Sequence, residues 1–140
     1  MDHALTEDEC RAAFGGARVA RLATAGADRA PHLVPVTFAV ADDRVYFAVD
    51  AKPKTSARLR RLRNIEENPQ VSLLVDEYDE DWERLWWVRA DGRARVLAGD
   101  VAAPRDLLRA RYPQYADVAM DGPVVEIAVG RWSGWRYAGS

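Results

Sequence analysis

The sequence has few of the residues from which proteins build disulfides and metal centres. It carries one cysteine, Cys10, and two histidines, His3 and His32, among 140 residues. A single thiol cannot form an internal disulfide, and one thiol with two imidazoles cannot supply the ligand set of a structural zinc site. We therefore expect neither a disulfide framework nor a metal site, and we predict that Cys10 is a small buried residue on a helix.

Long apolar runs are also absent. No stretch approaches the roughly 20 apolar residues that a membrane-spanning helix needs, and residues 1–5 lack the features of a secretory signal. The formal net charge of -2 argues against a dedicated nucleic-acid binder. We expect a cytoplasmic protein that binds neither membrane nor nucleic acid. Its length fits a single domain over residues 1–140.

Lysine is scarce in a chain that is rich in arginine. The chain has only two lysines, Lys52 and Lys54, which stand two residues apart and are followed by Thr55. A strand-like run ends just before them and a helical pattern begins just after, and the first turn of a helix has unpaired N–H groups that attract anions. We interpret these three residues as a seat for a phosphate or carboxylate. The alternative is a solvated basic helix face, which Arg58 and the arginines after it would continue.

Charge is segregated between two blocks of the sequence. Positive side chains dominate residues 52–63, and negative side chains dominate residues 76–83. The two blocks could pair with each other, within one subunit or across a dimer. This alternative applies more to the arginines than to the lysines, because an anion is held at the first turn of a helix rather than along its length.

The apolar pattern predicts short strands with a few helices. Helices are expected from a capping box at Thr6, over residues 55–67, and from Pro104 to about Tyr112. Pro31 and Pro35 cannot donate ladder hydrogen bonds, which places their strand at an edge, a bulge or a strand start. Asp91-Gly92 predicts a tight hairpin. Six or seven short strands joined by tight turns indicate a mainly β fold, an antiparallel barrel with short flanking helices.

Two adjacent tryptophans lie in one of the predicted strands. The side chains of Trp86 and Trp87 must point to opposite faces, and only one face can be the barrel interior. The other indole needs a cover, which a second subunit or a flat aromatic ligand would supply. The alternative is a small apolar cluster beneath the acidic residues 76–83.

Side chains suited to bond breaking are not grouped in this sequence. His32 could be a general base, but a lone histidine is more often a hydrogen-bonded structural residue. No Ser/His/Asp or Cys/His arrangement accompanies it. If the chain is an enzyme, redox chemistry from a bound cofactor fits best, since the protein then needs only to bind, orient and shield that cofactor.

Four segments in order resemble a known superfamily. They are Arg18–Thr24, Pro31–Phe38, Val45–Asp50 with Lys52–Thr55, and Asn68–Leu73. Together they resemble the pyridoxamine-phosphate-oxidase-like split-barrel superfamily. The Lys-x-Lys-Thr element and the segment Asp81–Arg89 are similar to its branch of probable F420-dependent enzymes.

The resemblance implies a six-stranded antiparallel split β-barrel that forms a homodimer with two cofactor sites at the subunit interface. The strand Leu33–Phe38 would lie along a flavin-like ring, the segment Phe47–Asp50 would come next, and a short basic segment would hold the phosphate end. The residues of one subunit would be His32, Val34, Pro35, Val36, Thr37, Ala48, Val49, Asp50, Lys52, Lys54 and Thr55, with Arg58 for surface or tail contacts. Trp86, Trp87 and Arg89 would come from the facing subunit.

The activity implied by the resemblance is hydride transfer between the deazaflavin F420 and a small molecule, in either direction. An FMN-dependent oxidoreductase of the same fold is an alternative, although the FMN-binding relatives usually place Arg, Ser and Lys around the phosphate. A non-catalytic carrier of a flavin or haem is another. A small barrel that binds single-stranded nucleic acid is disfavoured by the net charge. The chain also lacks the basic, histidine-bearing C-terminal segment that vitamin-phosphate oxidation requires.

Overall fold

The computed structural model describes residues 2–49, 56–118, 120 and 122–137. Side chains are described from residue 3 onward in the first range and from residue 60 onward in the second. No helix in these ranges is long and apolar enough to cross a bilayer. The elements in chain order are β1 (Asp2–Ala4), α1 (Glu7–Gly16), β2 (Ala20–Ala25), β3 (Pro31–Val36), β4 (Ala39–Ala41), β5 (Arg44–Ala48), α2 (Ser56–Glu67), β6 (Gln70–Glu77), β7 (Trp86–Val96), α3 (Ala102–Arg111) and β8 (Val124–Tyr137). Short 3-10 helices occupy Trp82–Arg84 and Pro113–Ala116.

The strands form one antiparallel sheet. Its order is β3-β2-β6-β7-β8-β5-β4, and β1 pairs with β8 beside this path. The sheet curls into a half-barrel with the helices on its flanks, so the predicted fold class is confirmed. The strand count differs, since eight strands are described where the pattern predicted six or seven and the resemblance implied six. Two of them, β1 and β4, are only three residues long, too short for an alternating pattern to be read.

The hairpin predicted at Asp91-Gly92 is wrong. β7 runs without interruption from Trp86 to Val96, and its register against β8 shifts between Asp91 and Gly92, which marks a β-bulge. A Cβ added at Gly92 would lie 2.4 Å from the carbonyl oxygen of Ala128. Glycine is therefore present because two backbones approach closely, and not because the chain turns back.

The core lies inside the curled sheet and is closed by α1. Phe14 is fully buried, and its ring centroid lies 4.9 Å from that of Phe38 and 5.3 Å from that of Trp132. The predicted capping box is confirmed, because the Thr6 hydroxyl accepts from the Glu9 N–H at 3.2 Å and the Glu9 carboxylate accepts from the Thr6 N–H at 2.9 Å. Local capping thus fixes the start of the helix that fills the core.

Cys10 is fully buried on α1, as predicted. Burial raises the pKa of its thiol, and the negative charges of Glu9 and Glu7 raise it further. Because the thiolate is the reactive form of cysteine, this position suits packing rather than nucleophilic chemistry.

Candidate functional site

The strand that carries four of the predicted site residues lies at an edge of the sheet. β3 pairs with β2 and is the first strand in the sheet order, with Pro31 at its first position. The prediction made from Pro31 and Pro35 is therefore confirmed. An edge strand has backbone N–H and C=O groups without a strand partner, which are available to a ligand or a second chain.

The side chains of β3 alternate between the two faces of the sheet. Val34 is paired with the fully buried Leu22 and Val36 with the fully buried Ala20, so both valines face the core. Pro35 and Leu33 face outward, and Leu33 is 67% exposed. Any contact that Val34 and Val36 make with a ligand on the outer face must come from their backbone. Leu33 begins the segment that the resemblance places along the ring, and the alternation of the strand puts it on the same face as Pro35.

His32 lies on the inner face of the same strand, opposite Thr24. The Thr24 hydroxyl accepts a hydrogen bond from the Asn64 amide at 3.1 Å. The Nδ1 atom of His32 is buried and has no hydrogen-bond partner among the described residues. No described carboxylate orients this imidazole as a general base would require, and its place in a cofactor site stays a prediction.

Ala48 and Val49 point their side chains into apolar clusters. Val49 is buried in the main core, and its N–H donates to the Pro123 carbonyl at 2.8 Å. Ala48 packs against a second cluster, which contains Leu108 and Tyr112. The predicted residues that follow, Asp50, Lys52, Lys54 and Thr55, lie outside the described residues, as does the side chain of Arg58. The anion seat therefore stays a prediction.

The two tryptophans point to opposite faces, as predicted. Trp86 is on the side of the fully buried Val88 and packs against the main core, and its indole N–H donates to Glu77 at 2.8 Å. Trp87 faces outward with Arg89. The outward indole lies in register with Trp135 of β8.

A cleft of about 430 Å³ opens at the outward indole, and we call it the tryptophan cleft. It brings together three predicted residues with others from β6, from the loop before β7 and from β8. Its lining is Leu74, Asp76, Glu77, Tyr78, Leu85, Trp86, Trp87, Arg89 and Trp135. Leu74 and Trp135 were missed, because only the pairing of β6, β7 and β8 brings them beside Trp87.

Arg89 is held in place on the outer face. Its Nε donates to Asp91 at 3.0 Å, and the other carboxylate oxygen of Asp91 accepts from the Ser72 hydroxyl at 2.5 Å. The Arg89 side chain is nevertheless 44% exposed. A guanidinium that is oriented by one carboxylate and still reachable can also contact a polar group of a ligand.

Several members of the two charge blocks find partners elsewhere in the fold. Arg60 lies 3.4 Å from Asp28, Asp76 lies 3.6 Å from Arg21, and Asp79 lies 3.5 Å from Arg84. These pairs do not join one block to the other. For these residues, ion pairs between the basic block and the acidic block of the same subunit are not observed.

The tryptophan cleft suits the ring end of a planar cofactor. Its walls are mostly apolar, and indoles stack well on flat aromatic rings. Its volume lies within the range of small-molecule sites. Among the described residues there is no group of three or more His, Cys, Asp or Glu that could hold a metal ion. The arrangement can bind and shield a flat ring, while any bond-making chemistry would have to come from what is bound.

Thr37, the last predicted residue of the β3 segment, belongs to a different part of the surface. Its hydroxyl lies 3.2 Å from the Tyr115 hydroxyl, in a second cleft beside α3. The predicted residues therefore fall into separate groups on the described surface. Of the predicted residues whose side chains the structure describes, Trp86, Trp87 and Arg89 share the tryptophan cleft.

This chain is similar in sequence to known proteins. A family model described as pyridoxamine 5'-phosphate oxidase matches residues 6–136. A 5a,11a-dehydrotetracycline/5a,11a-dehydrooxytetracycline reductase from Streptomyces rimosus is 37% identical over 57 residues, which is 41% of this chain and 39% of that protein. The match thus spans well under half of the relative's length.

Solved structures share the fold over nearly the whole chain. An FAD-binding protein from Mesorhizobium loti superposes with a TM-score of 0.79 and 24% identity, covering 99% of this chain and 98% of that one. A haem storage protein from Vibrio cholerae superposes with a TM-score of 0.64 and 17% identity, covering 89% and 87%. At these identities the likeness establishes the architecture alone.

Proposed function

The chain belongs to the pyridoxamine 5'-phosphate oxidase family, and from this premise we propose that it is an oxidoreductase with a flavin-type cofactor. The cofactor in this proposal is the deazaflavin F420, used as a hydride carrier to reduce or oxidise a small molecule. The protein acts as a homodimer. The reductase from Streptomyces rimosus and the FAD-binding protein from Mesorhizobium loti support an activity of this class.

The observation that carries the proposal is the tryptophan cleft on the outer face of the sheet. Trp87 and Trp135 form an apolar wall there, beside Leu74, which is 38% exposed. Burying apolar surface is favourable by about 25 cal/mol per Å². A flat tricyclic ring placed against these side chains would bury them, while Arg89 offers a guanidinium to a polar edge of the ring.

The residues of this chain would bind, orient and shield the cofactor, which supplies the redox chemistry when it is bound. The indoles keep water away from the ring. Asp91 and Ser72 keep Arg89 oriented, so that its hydrogen bonds require little reorganisation. Lys52, Lys54 and Thr55 would hold the anionic end. Water exclusion also strengthens these electrostatic contacts.

The proposed homodimer explains the exposed apolar side chains on the outer face. Leu33 on the edge strand is 67% exposed, and the pairing registers of β3, β2 and β6 place it on the same face of the sheet as Leu74. In a dimer that covers the face, Trp86, Trp87 and Arg89 of one subunit would complete the site that the basic segment of its partner begins. Both the subunit contact and the cofactor would then use the same apolar surface.

The choice of F420 over FMN rests on the phosphate seat. The FMN-binding relatives usually surround the phosphate with Arg, Ser and Lys, whereas this sequence has two lysines and a threonine. Lysine presents a compact point charge, and arginine presents a planar fork. FMN is the alternative cofactor for the same site.

A non-catalytic carrier of a flavin or haem is the second candidate function. It is favoured by the likeness to the haem storage protein and by the engagement of both carboxylates of the tryptophan cleft, Glu77 with the Trp86 indole and Asp76 with Arg21. A carrier would bind a cofactor on the same face without presenting it to a substrate.

Anaerobic stopped-flow mixing distinguishes an enzyme from a carrier. Protein loaded with reduced F420 or FMN is mixed with a quinone, an unsaturated ketone and a nitroaromatic compound, and cofactor oxidation is followed by absorbance. We expect at least one acceptor to oxidise the bound cofactor faster than it oxidises the free cofactor. Bound cofactor that is oxidised more slowly than free cofactor by every acceptor would support the carrier instead.

A further inference from the structure

The second cleft has a volume of about 450 Å³ and is independent of the tryptophan cleft. It is lined by Arg18, Thr37, Tyr112, Gln114, Tyr115 and Val118, and we call it the tyrosine cleft. Its walls come from three separate segments, which are the residues before β2, the β3–β4 connection, and the end of α3 with the 3-10 helix that follows. Its size is that of a small-molecule site.

The wall formed by Tyr112 is rigid. This side chain is buried, and its hydroxyl accepts from the Phe38 N–H at 3.0 Å. The same hydroxyl lies 3.0 Å from two possible acceptors, the carbonyl oxygens of Arg18 and Phe38. The Tyr115 ring packs edge-to-face on Tyr112, with centroids 6.0 Å apart. Aromatic walls held in this way lose little freedom when a ligand binds.

Two positively charged arginines lie beside these rings, and neither forms an ion pair with a described carboxylate. The Arg18 guanidinium lies over the Tyr112 ring, 5.0 Å from its centroid. Among the described residues its hydrogen bond goes to the carbonyl of Arg111 at 3.2 Å, and none of the ion pairs between described side chains includes it. Arg111 lies 5.8 Å from the same ring and donates to the carbonyls of Gly15 and Ala17. Backbone carbonyls satisfy N–H groups but do not neutralise their charge.

The remaining groups of the tyrosine cleft are a hydroxyl pair and apolar surface. Thr37 and Tyr115 share one hydrogen bond of 3.2 Å, which leaves further hydrogen-bonding capacity on both oxygens. Val118 is 39% exposed at the rim. From this combination we propose that the tyrosine cleft binds a small planar aromatic molecule that carries a carboxylate or similar anionic group. The ring lies against Tyr115 and Val118, and the anion lies at Arg18.

Other kinds of ligand fit this cleft less well. A neutral hydrocarbon would remove water from Arg18 and the hydroxyls without offering them an acceptor, which is costly. A bare inorganic anion would leave the aromatic walls unused. None of the residues of the tyrosine cleft lines the tryptophan cleft. Thr37 alone is shared with the cofactor residues that the resemblance implies, so the inference does not rest on the proposed redox function.

A matched pair of probes tests this proposal on the full chain. 2-Naphthoate and 2-naphthamide have nearly the same shape and differ in charge, so isothermal titration of both isolates the contribution of Arg18. We expect naphthoate to bind roughly ten-fold more tightly than naphthamide. Arg18→Gln should remove this preference while naphthamide binding persists, and Tyr115→Ala should weaken both. Arg93→Gln, which removes an exposed arginine from β7, is the control and should change neither affinity.

Three results would overturn the proposal. They are equal affinities of the two probes, a preference that survives in Arg18→Gln, and binding that is lost in Trp87→Ala but kept in Tyr115→Ala. If circular dichroism shows that Arg18→Gln is unfolded, Gln114→Trp provides a second test, since Gln114 is exposed and a larger side chain there would fill the cleft. Unchanged naphthoate binding in a folded Gln114→Trp variant would contradict the assignment.

Discussion

Replacement of Gly92 by alanine is expected to lower the free energy of unfolding by about 3 kcal/mol and the melting temperature by roughly 10 °C. The added Cβ would lie 2.4 Å from the Ala128 carbonyl oxygen and 3.0 Å from the Ile127 side chain. The closer of these atoms belongs to the backbone of β8, so relief requires a shift of the strand pair that contains the bulge. Urea denaturation and thermal melts followed by circular dichroism measure the loss.

Gly15→Ala is the matched control for this experiment. Gly15 lies in the last turn of α1, and an added Cβ there would meet no atom within 4 Å beyond its chain neighbours and the backbone of its own helix. Alanine is favoured over glycine inside a helix by roughly 0.8–1 kcal/mol, so this variant should be unchanged or slightly more stable. Similar losses in Gly92→Ala and Gly15→Ala would refute the assignment of a close backbone contact at the bulge.

Replacement of Lys54 by alanine is expected to weaken binding of the anionic cofactor by roughly ten-fold or more. A hydrogen bond to a charged group contributes about 1.5 to 3 kcal/mol, and each 1.4 kcal/mol corresponds to a factor of ten in the dissociation constant. In the sequence Lys54 lies between β5 and α2, two residues after Lys52 and directly before Thr55. Fluorescence titration with F420 and with FMN measures the change.

Arg63→Ala provides the control for charge alone. Arg63 is exposed further along α2, so this variant removes the same charge from the same basic block. If Lys54 belongs to a local phosphate site, the Arg63 variant should bind the cofactor as tightly as the wild type does. Equal weakening in both variants would mean that the basic block attracts the cofactor through its general field, and an unchanged curve for Lys54→Ala would remove this lysine from the site.

Features that depend on neighbouring residues could be predicted from the sequence. The Thr6 capping box, the burial of Cys10 on α1 and the opposed faces of Trp86 and Trp87 all follow from helix or strand geometry over a few residues. The edge position of Pro35 follows from its missing N–H. In each case the controlling interaction is encoded within a short segment.

Features that depend on strand pairing could not be predicted. Asp91-Gly92 has the sequence of a tight turn, yet the approach of β8 uses Gly92 as a site of close backbone contact. Trp135 and Leu74 join the tryptophan cleft only through the registers of β8 and β6 with β7. Val34 and Val36 were assigned to the cofactor by family resemblance, and their inward side chains became evident only from the pairing of β3 with β2.

Cofactor binding at the tryptophan cleft is tested most directly by a fluorescence titration of Trp87→Ala and Trp82→Ala with F420 and FMN. Trp82 is 62% exposed and does not line the tryptophan cleft, so its replacement removes one indole while leaving the site intact. We expect the wild type and Trp82→Ala to bind at least one of the two cofactors equally well, and Trp87→Ala to bind it roughly ten-fold more weakly or worse. Failure of the wild type to bind either cofactor, or identical titrations of the two variants, would contradict cofactor binding at this cleft.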